Sequence, residues 1–88
     1  MLTREQKDTI IKEFQTHAQD VGSSPVQVAV LTAEINELQK HFATHKKDYA
    51  SRIGMMRRIN RRKSLLAYIQ KHSNEEYVNL ITRLNLRK

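Results

Sequence analysis

Apolar residues recur along this chain at spacings of three and four, the period of a helix that buries one face. Ile10, Ile11, Phe14 and Ala18 form the first such stripe. Thr3 and Gln6 precede it at the spacing of a capping box, in which each side chain satisfies the other's backbone N–H. This helix is short and polar on its other faces, so alone it would be marginal in water and must lean on the remainder. A stretch of turn formers at 19–24, QDVGSS, follows, with Gly22 suited to a left-handed conformation. Pro25 fits the start of a helix, Ser24 before it is biased out of the helical region, and Gln27 completes a second capping box with Ser24. From there Val28, Leu31, Ile35, Leu38 and Phe42, joined by Val26 and Ala29, predict a helix of about five turns ending near Thr44.

The segment 45–51, HKKDYAS, interrupts the apolar pattern. Asp48 or Ser51 can cap a third helix whose buried side takes Met55, Met56, Ile59, Leu66 and Ile69, with Arg57, Arg58, Arg61 and Arg62 on another side. The link before it is short, so the second and third helices should form an antiparallel hairpin. Ser73 and Glu76 make a third capping box. It opens a helix with Tyr77, Leu80, Ile81 and Leu84 on its apolar side and Arg83, Arg87 and Lys88 near its negative end. The expected fold is all-α: four helices, three forming an antiparallel bundle with a short, mobile N-terminal helix.

Composition narrows this further. Eighty-eight residues support one domain, 1–88, with no cysteine to staple it, so packing alone must hold it together. Two glycines and one proline, amid abundant helix formers, agree with an all-helical chain. Charges are scattered through the N-terminus and no apolar run approaches a membrane span, so a soluble protein that stays where it is made is expected. The 16 Lys and Arg outnumber the 9 Asp and Glu, and the excess is confined to one place. Residues 40–63 hold Lys40, Lys46, Lys47, Arg52, Arg57, Arg58, Arg61, Arg62 and Lys63 against a single acid, Asp48, while the rest of the chain is near neutral. A confined patch of this kind is the footprint of a polyanion binder.

On the third helix Arg57, Arg61 and Tyr68 fall within about 40° of one another, with Gly54 and Arg58 beside them. Guanidinium forks, a stacking ring and a backbone spot without a side chain suit nucleic acid; the bland reading is a solvated face with Tyr68 covering core. On the second helix Gln27, Glu34, His41 and His45 share a stripe. His41 and His45 sit at metal-ligand spacing, but no third ligand is evident and zinc needs three or four, so no metal or other cofactor is expected. With no cysteine and no cluster of Ser, His and acid, the chain should not be an enzyme. The methionines look like core filler.

Four ordered motifs, DVGSSPVQVAVLTAEINELQKHF, HKKDYASRIG, RRKSLLAYIQK and YVNLITRLNLRK, give the whole chain a resemblance to the bacterial small-subunit ribosomal protein fifteen family. The resemblance implies a structural protein of the small subunit, three packed helices and a first helix variable in position. It also implies binding to the central domain of small-subunit rRNA at a three-way junction and at a nearby minor-groove site with G·U and G·C pairs, promoting assembly. His41, Asp48 and Ser51 match the family's minor-groove contacts, and Gly22, Gln27 and Tyr68 its junction contacts. His45, Lys46, Lys47, Arg57, Arg58, Arg61 and Arg62 match positions suited to phosphate. Implied partners are neighbouring small-subunit proteins and a bridge contact to large-subunit rRNA, for a protein that is a monomer when free and works on the ribosome in the cytoplasm or in an organelle. The chain departs from the family pattern at Val21, Glu34, Tyr49, Ala50 and Ser64.

Two other readings compete. A helical DNA binder would place the third helix in a major groove, but the best polar readers lie at the hairpin end instead of along one recognition helix. A membrane-surface or protein-docking bundle would need an apolar rim beside the basic face, which the sequence does not offer.

Overall fold

A computed structural model describes residues 2–15 and 23–86. Four helices follow in order, α1 (Arg4–Phe14), α2 (Ser24–Thr44), α3 (Tyr49–His72) and α4 (Asn74–Arg83), with no strand among the described residues. None of these helices is long and apolar enough to cross a membrane.

The expected capping box opens α1. Gln6 N–H donates to Thr3 Oγ1 at 3.1 Å, and Thr3 N–H donates to Gln6 Oε1 at 2.9 Å. Phe14 is buried and Ile10 and Ile11 half-buried, as their spacing required; Ala18 lies outside the described residues. The start of α2 differs from expectation. Ser23, not Ser24, is the N-cap, with Pro25 in the first turn, where its missing N–H leaves no helix bond unmade. No side-chain capping bond forms there. Gln27 N–H donates to Ser23 O at 2.9 Å, while its side-chain oxygen is drawn to Arg61 of α3.

Short linkage and paired side chains make α2 and α3 an antiparallel hairpin. His41 meets Asp48, Glu34 meets Arg58 and Gln27 meets Arg61, so numbers fall along one helix as they rise along the other. The expected buried side of α3 needs one correction. Ile69 is buried and Met55, Ile59 and Leu66 are half-buried, but Met56 is 52% exposed. Adjacent residues are about 100° apart on a helix, so Met55 and Met56 cannot both face the same neighbour. Met56 instead joins Tyr49 and Ile53 at spacings of three and four, in a stripe facing solvent.

Ser73 caps α4, accepting from Glu76 N–H at 3.3 Å. Tyr77 and Leu80 are buried, with Ile81 and Leu84 packed beside them, as the apolar stripe requires. The C-terminus of α4 closes with a turn the apolar pattern does not contain. Asn85 takes φ 56°, its N–H bonds to Thr82 O at 3.2 Å, and Leu86 N–H bonds to Ile81 O at 2.8 Å. This is a Schellman motif with Asn in the left-handed position that Gly usually fills.

Phe14, Val26, Val28, Ala29, Ile69, Tyr77 and Leu80 make the core, at the end where α1, the start of α2, the end of α3 and α4 converge. Arg83 fastens α4 to α1, with its guanidinium 4.2 Å from the Phe14 ring centroid and Nη2 donating to Glu13 O at 3.1 Å. The other end of the hairpin projects from this core and carries most of the polar groups singled out above.

Candidate nucleic-acid interface

The hairpin tip is assembled by one carboxylate. Asp48 is the N-cap of α3, and its Oδ1 accepts from Ser51 N–H at 3.1 Å. Its Oδ2 takes the Ser51 hydroxyl at 2.6 Å and His41 Nε2, from the last turn of α2, at 2.9 Å. The two roles left open for Asp48 thus begin from one geometry, in which the cap also ties α2 to α3. Donation from the Ser51 hydroxyl, then from His41 and the Ser51 backbone, lowers the Asp48 carboxyl from 3.8 to about 2. It is therefore an anion at any physiological pH.

An ionised carboxylate only accepts, so this arrangement sets the hydrogens of its partners. His41 Nε2 must carry a hydrogen, and the Ser51 hydroxyl hydrogen points at Asp48. What remains uncommitted is lone pairs: those of Ser51 Oγ and of Asp48, and that of His41 Nδ1 whenever the ring carries only its Nε2 hydrogen. The side chains of His41 and Asp48 are 36% and 34% exposed, so they remain within reach of a ligand. His41 and Ser51 line an open groove with Glu37, Leu38 and Lys40. Beside the site, Lys46 and Lys47 are exposed in the link between helices. Arg52 braces that link, donating to Lys46 O at 2.9 Å with its guanidinium 5.7 Å from the Phe42 ring.

Further along α3 the four arginines divide into two pairs. Arg57 and Arg61 are exposed, and Arg61 Nη2 donates to Gln27 Oε1 at 3.1 Å. Arg58 and Arg62 are half-buried against α2. Arg58 Nε lies 3.6 Å from Glu34 Oε2, its Nη1 donates to Gly54 O at 3.1 Å, and Arg62 Nη1 donates to Thr32 Oγ1 at 3.3 Å. Burial pushes the Arg62 pKa down. Gly54 is consequently not a bare patch of backbone, because a Cβ there would sit 3.2 Å from Arg58 Nη1. Tyr68 does not cover core: it is 54% exposed, with its ring 4.1 Å from that of His72. It lies two turns from Arg61 on the same face, about 10 Å along the helix.

The structure thus gathers His41, Asp48 and Ser51 into one site and puts Gln27, Arg61 and Tyr68 along another face; Gly22 and Val21 lie outside the described residues. Sequence reasoning missed Thr32, which is buried and donates to Val28 O at 2.8 Å while receiving Arg62. It also missed the parallel stacking of His41 on His45, whose centroids are 4.3 Å apart with planes 5° from parallel. Their i, i+4 spacing was the available signal. Among the described residues no group of three or more His, Asp or Glu is placed to hold a metal.

Comparison with known proteins agrees in one direction. Residues 7–87 match the family model described as ribosomal protein S15. The small ribosomal subunit protein uS15 of Limosilactobacillus reuteri is 53% identical over 87 residues, 99% of this chain and 98% of its own. Its counterpart in Pasteurella multocida is 51% identical with the same coverage, and that of Opitutus terrae is 49% identical over 88 residues, the whole of both chains.

Proposed function

The chain belongs to the ribosomal protein S15 family, a structural and non-enzymatic family of the small ribosomal subunit, and on that premise we propose that it clamps small-subunit rRNA at two places. The hairpin tip reads a minor-groove site with G·U and G·C pairs, through His41, Asp48 and Ser51. The face carrying Gln27 and Tyr68, together with Gly22, holds an adjacent three-way junction. By binding the folded junction better than its open forms, the protein shifts the RNA toward the geometry that the platform of the subunit needs.

One observation carries the minor-groove reading. Asp48 accepts from both His41 and Ser51, so the groups left uncommitted are acceptors. In the wide, shallow minor groove of RNA the donors on offer are 2′-hydroxyls and the guanine amino group, which is the only base donor there. An acceptor-rich tip set among Lys46, Lys47 and Lys40 is matched to guanine-bearing pairs between phosphates. Arg57, Arg61, Lys46 and Lys47 grip phosphate without reading sequence, whereas Arg58 and Arg62 reach it only by leaving their partners on α2.

The chain 1–88 acts as one RNA-binding unit, monomeric before assembly. On the ribosome it lies beside other small-subunit proteins and touches large-subunit rRNA across the subunit interface. Chemical footprinting of small-subunit rRNA tests this reading. Protection confined to one junction and a neighbouring G·U/G·C helix is expected, and protection dispersed over unrelated helices would sink it.

A further inference from the structure

We infer that His45 is a positioning residue for His41, fixing the plane of the ring that reads the RNA; the inference rests on the RNA reading above. His45 is an exposed C-cap residue, so burial gives no reason for its ring to be ordered. Yet it stacks on His41, 4.3 Å away and 5° from parallel. Two hydrogen bonds hold it there. Its Nδ1 is 2.8 Å from Thr44 Oγ1 and 3.3 Å from His41 O, and the Thr44 hydroxyl donates to His41 O at 3.1 Å. With its hydrogen committed to that carbonyl, Thr44 Oγ1 accepts, so His45 carries its hydrogen on Nδ1 and lies flat over His41.

His41 is thereby confined from several directions. His45 covers one face, the Phe42 ring stands edge-on at 5.8 Å and 64°, and Asp48 holds Nε2. Among the described residues the Nδ1 of this imidazole has no hydrogen-bond partner, so it is the acceptor open to a ligand. Without His45 the ring is free to tilt about its bond to Asp48, and the direction of that acceptor is lost. Ring orientation, in place of phosphate contact, is what this histidine contributes.

Binding of two short RNAs at fixed salt tests the inference, one with guanosine at the G·U/G·C site and one with inosine, which lacks the minor-groove amine. His45→Ala should lower the guanosine-to-inosine affinity ratio about two- to tenfold, the worth of one aromatic stack, and leave inosine RNA bound nearly as before. His45→Phe, which keeps a flat ring but loses the two Nδ1 hydrogen bonds, should restore the ratio in part. Equal weakening of both RNAs by His45→Ala, or a phenylalanine variant no better than the alanine one, would overturn it. NMR relaxation of the His41 imidazole C–H groups in the RNA-free protein decides independently. With its hydrogen held on Nε2 by Asp48 throughout, the His41 ring should be rigid in the wild type, gain mobility in His45→Ala and recover part of its order in His45→Phe; a ring equally ordered in all three would refute the inference. A wild-type protein blind to inosine would count against the RNA reading alone, and the NMR result would still judge His45.

Discussion

Arg58 Nε lies 3.6 Å from Glu34 Oε2 across the seam between α2 and α3, with the arginine side chain 30% exposed and the glutamate 14%. This acid therefore determines how many arginines of the basic stretch are free for phosphate. Glu34→Gln should release Arg58 and steepen the salt dependence of RNA binding by about one phosphate contact. It should also destabilise the free protein by about 1 kcal/mol, as expected of a pair only partly removed from solvent. Filter binding across a salt series and thermal melts measure the two effects.

Gly54, one turn before Arg58, offers a second handle on the same guanidinium. An alanine there gains about 1 kcal/mol of helix propensity, while its Cβ displaces only the flexible tip of Arg58 by a few tenths of an ångström. Gly54→Ala should raise the melting temperature. A fall would mean that the bond from Arg58 to the Gly54 carbonyl matters more than helix propensity.

Acid should unfasten the hairpin tip in a defined window. The Asp48 carboxyl lies at about 2 in the folded protein against 3.8 in an ordinary setting. A depressed carboxyl adds stability that is complete above its unfolded pKa and lost as pH falls through the folded one. Wild type should thus exceed Asp48→Asn in melting temperature at neutral pH, and the gap should close between about pH 4 and pH 2. A gap that persisted unchanged through this window would show that the charge of Asp48 is not what holds the cap.

Asn85 at φ 56° tests the end of α4. Glycine adopts that conformation freely, whereas a Cβ without a polar arm strains it by roughly 1 kcal/mol. Asn85→Gly should be neutral or stabilising and Asn85→Ala destabilising, as measured by urea denaturation.

Register along the helices is checked by a contrasting pair. Met56→Gln, in the solvent stripe, should change stability by less than about 0.5 kcal/mol. Leu80→Ala, at a position 4% exposed in the core, should cost about 2–5 kcal/mol.

What was legible in the chain was mostly local. The Thr3 capping box, the stripe of α4 and the extent of α2 depend on residues three or four apart and stand as expected, whereas of the Ser73 box only the bond from Glu76 N–H to the Ser73 hydroxyl forms. Choices that depend on a partner helix were not legible in the same way. Met55 and Met56 are equally apolar, and only the position of α2 decides that Met56 faces water. The same holds for Arg57 and Arg58, neighbours of like chemistry separated by the presence of Glu34 across the seam. For the start of α2, Ser23 and Ser24 are chemically identical candidates for the cap. At the tip, the single acid drew attention by its charge, but its simultaneous hold on His41 and Ser51 required the fold of the hairpin.

The clasp of Arg83 on Glu13 and Phe14 spans 70 positions of sequence, and the core joins Phe14 to Leu80. α1 packs along α2, its neighbour in sequence, but its Phe14 end is closed by α4, so the core is complete only when elements from both ends of the fold have met. A product truncated before Tyr77 would carry an intact basic hairpin on an unfinished body, with charge to hold RNA and no closed core to hold itself.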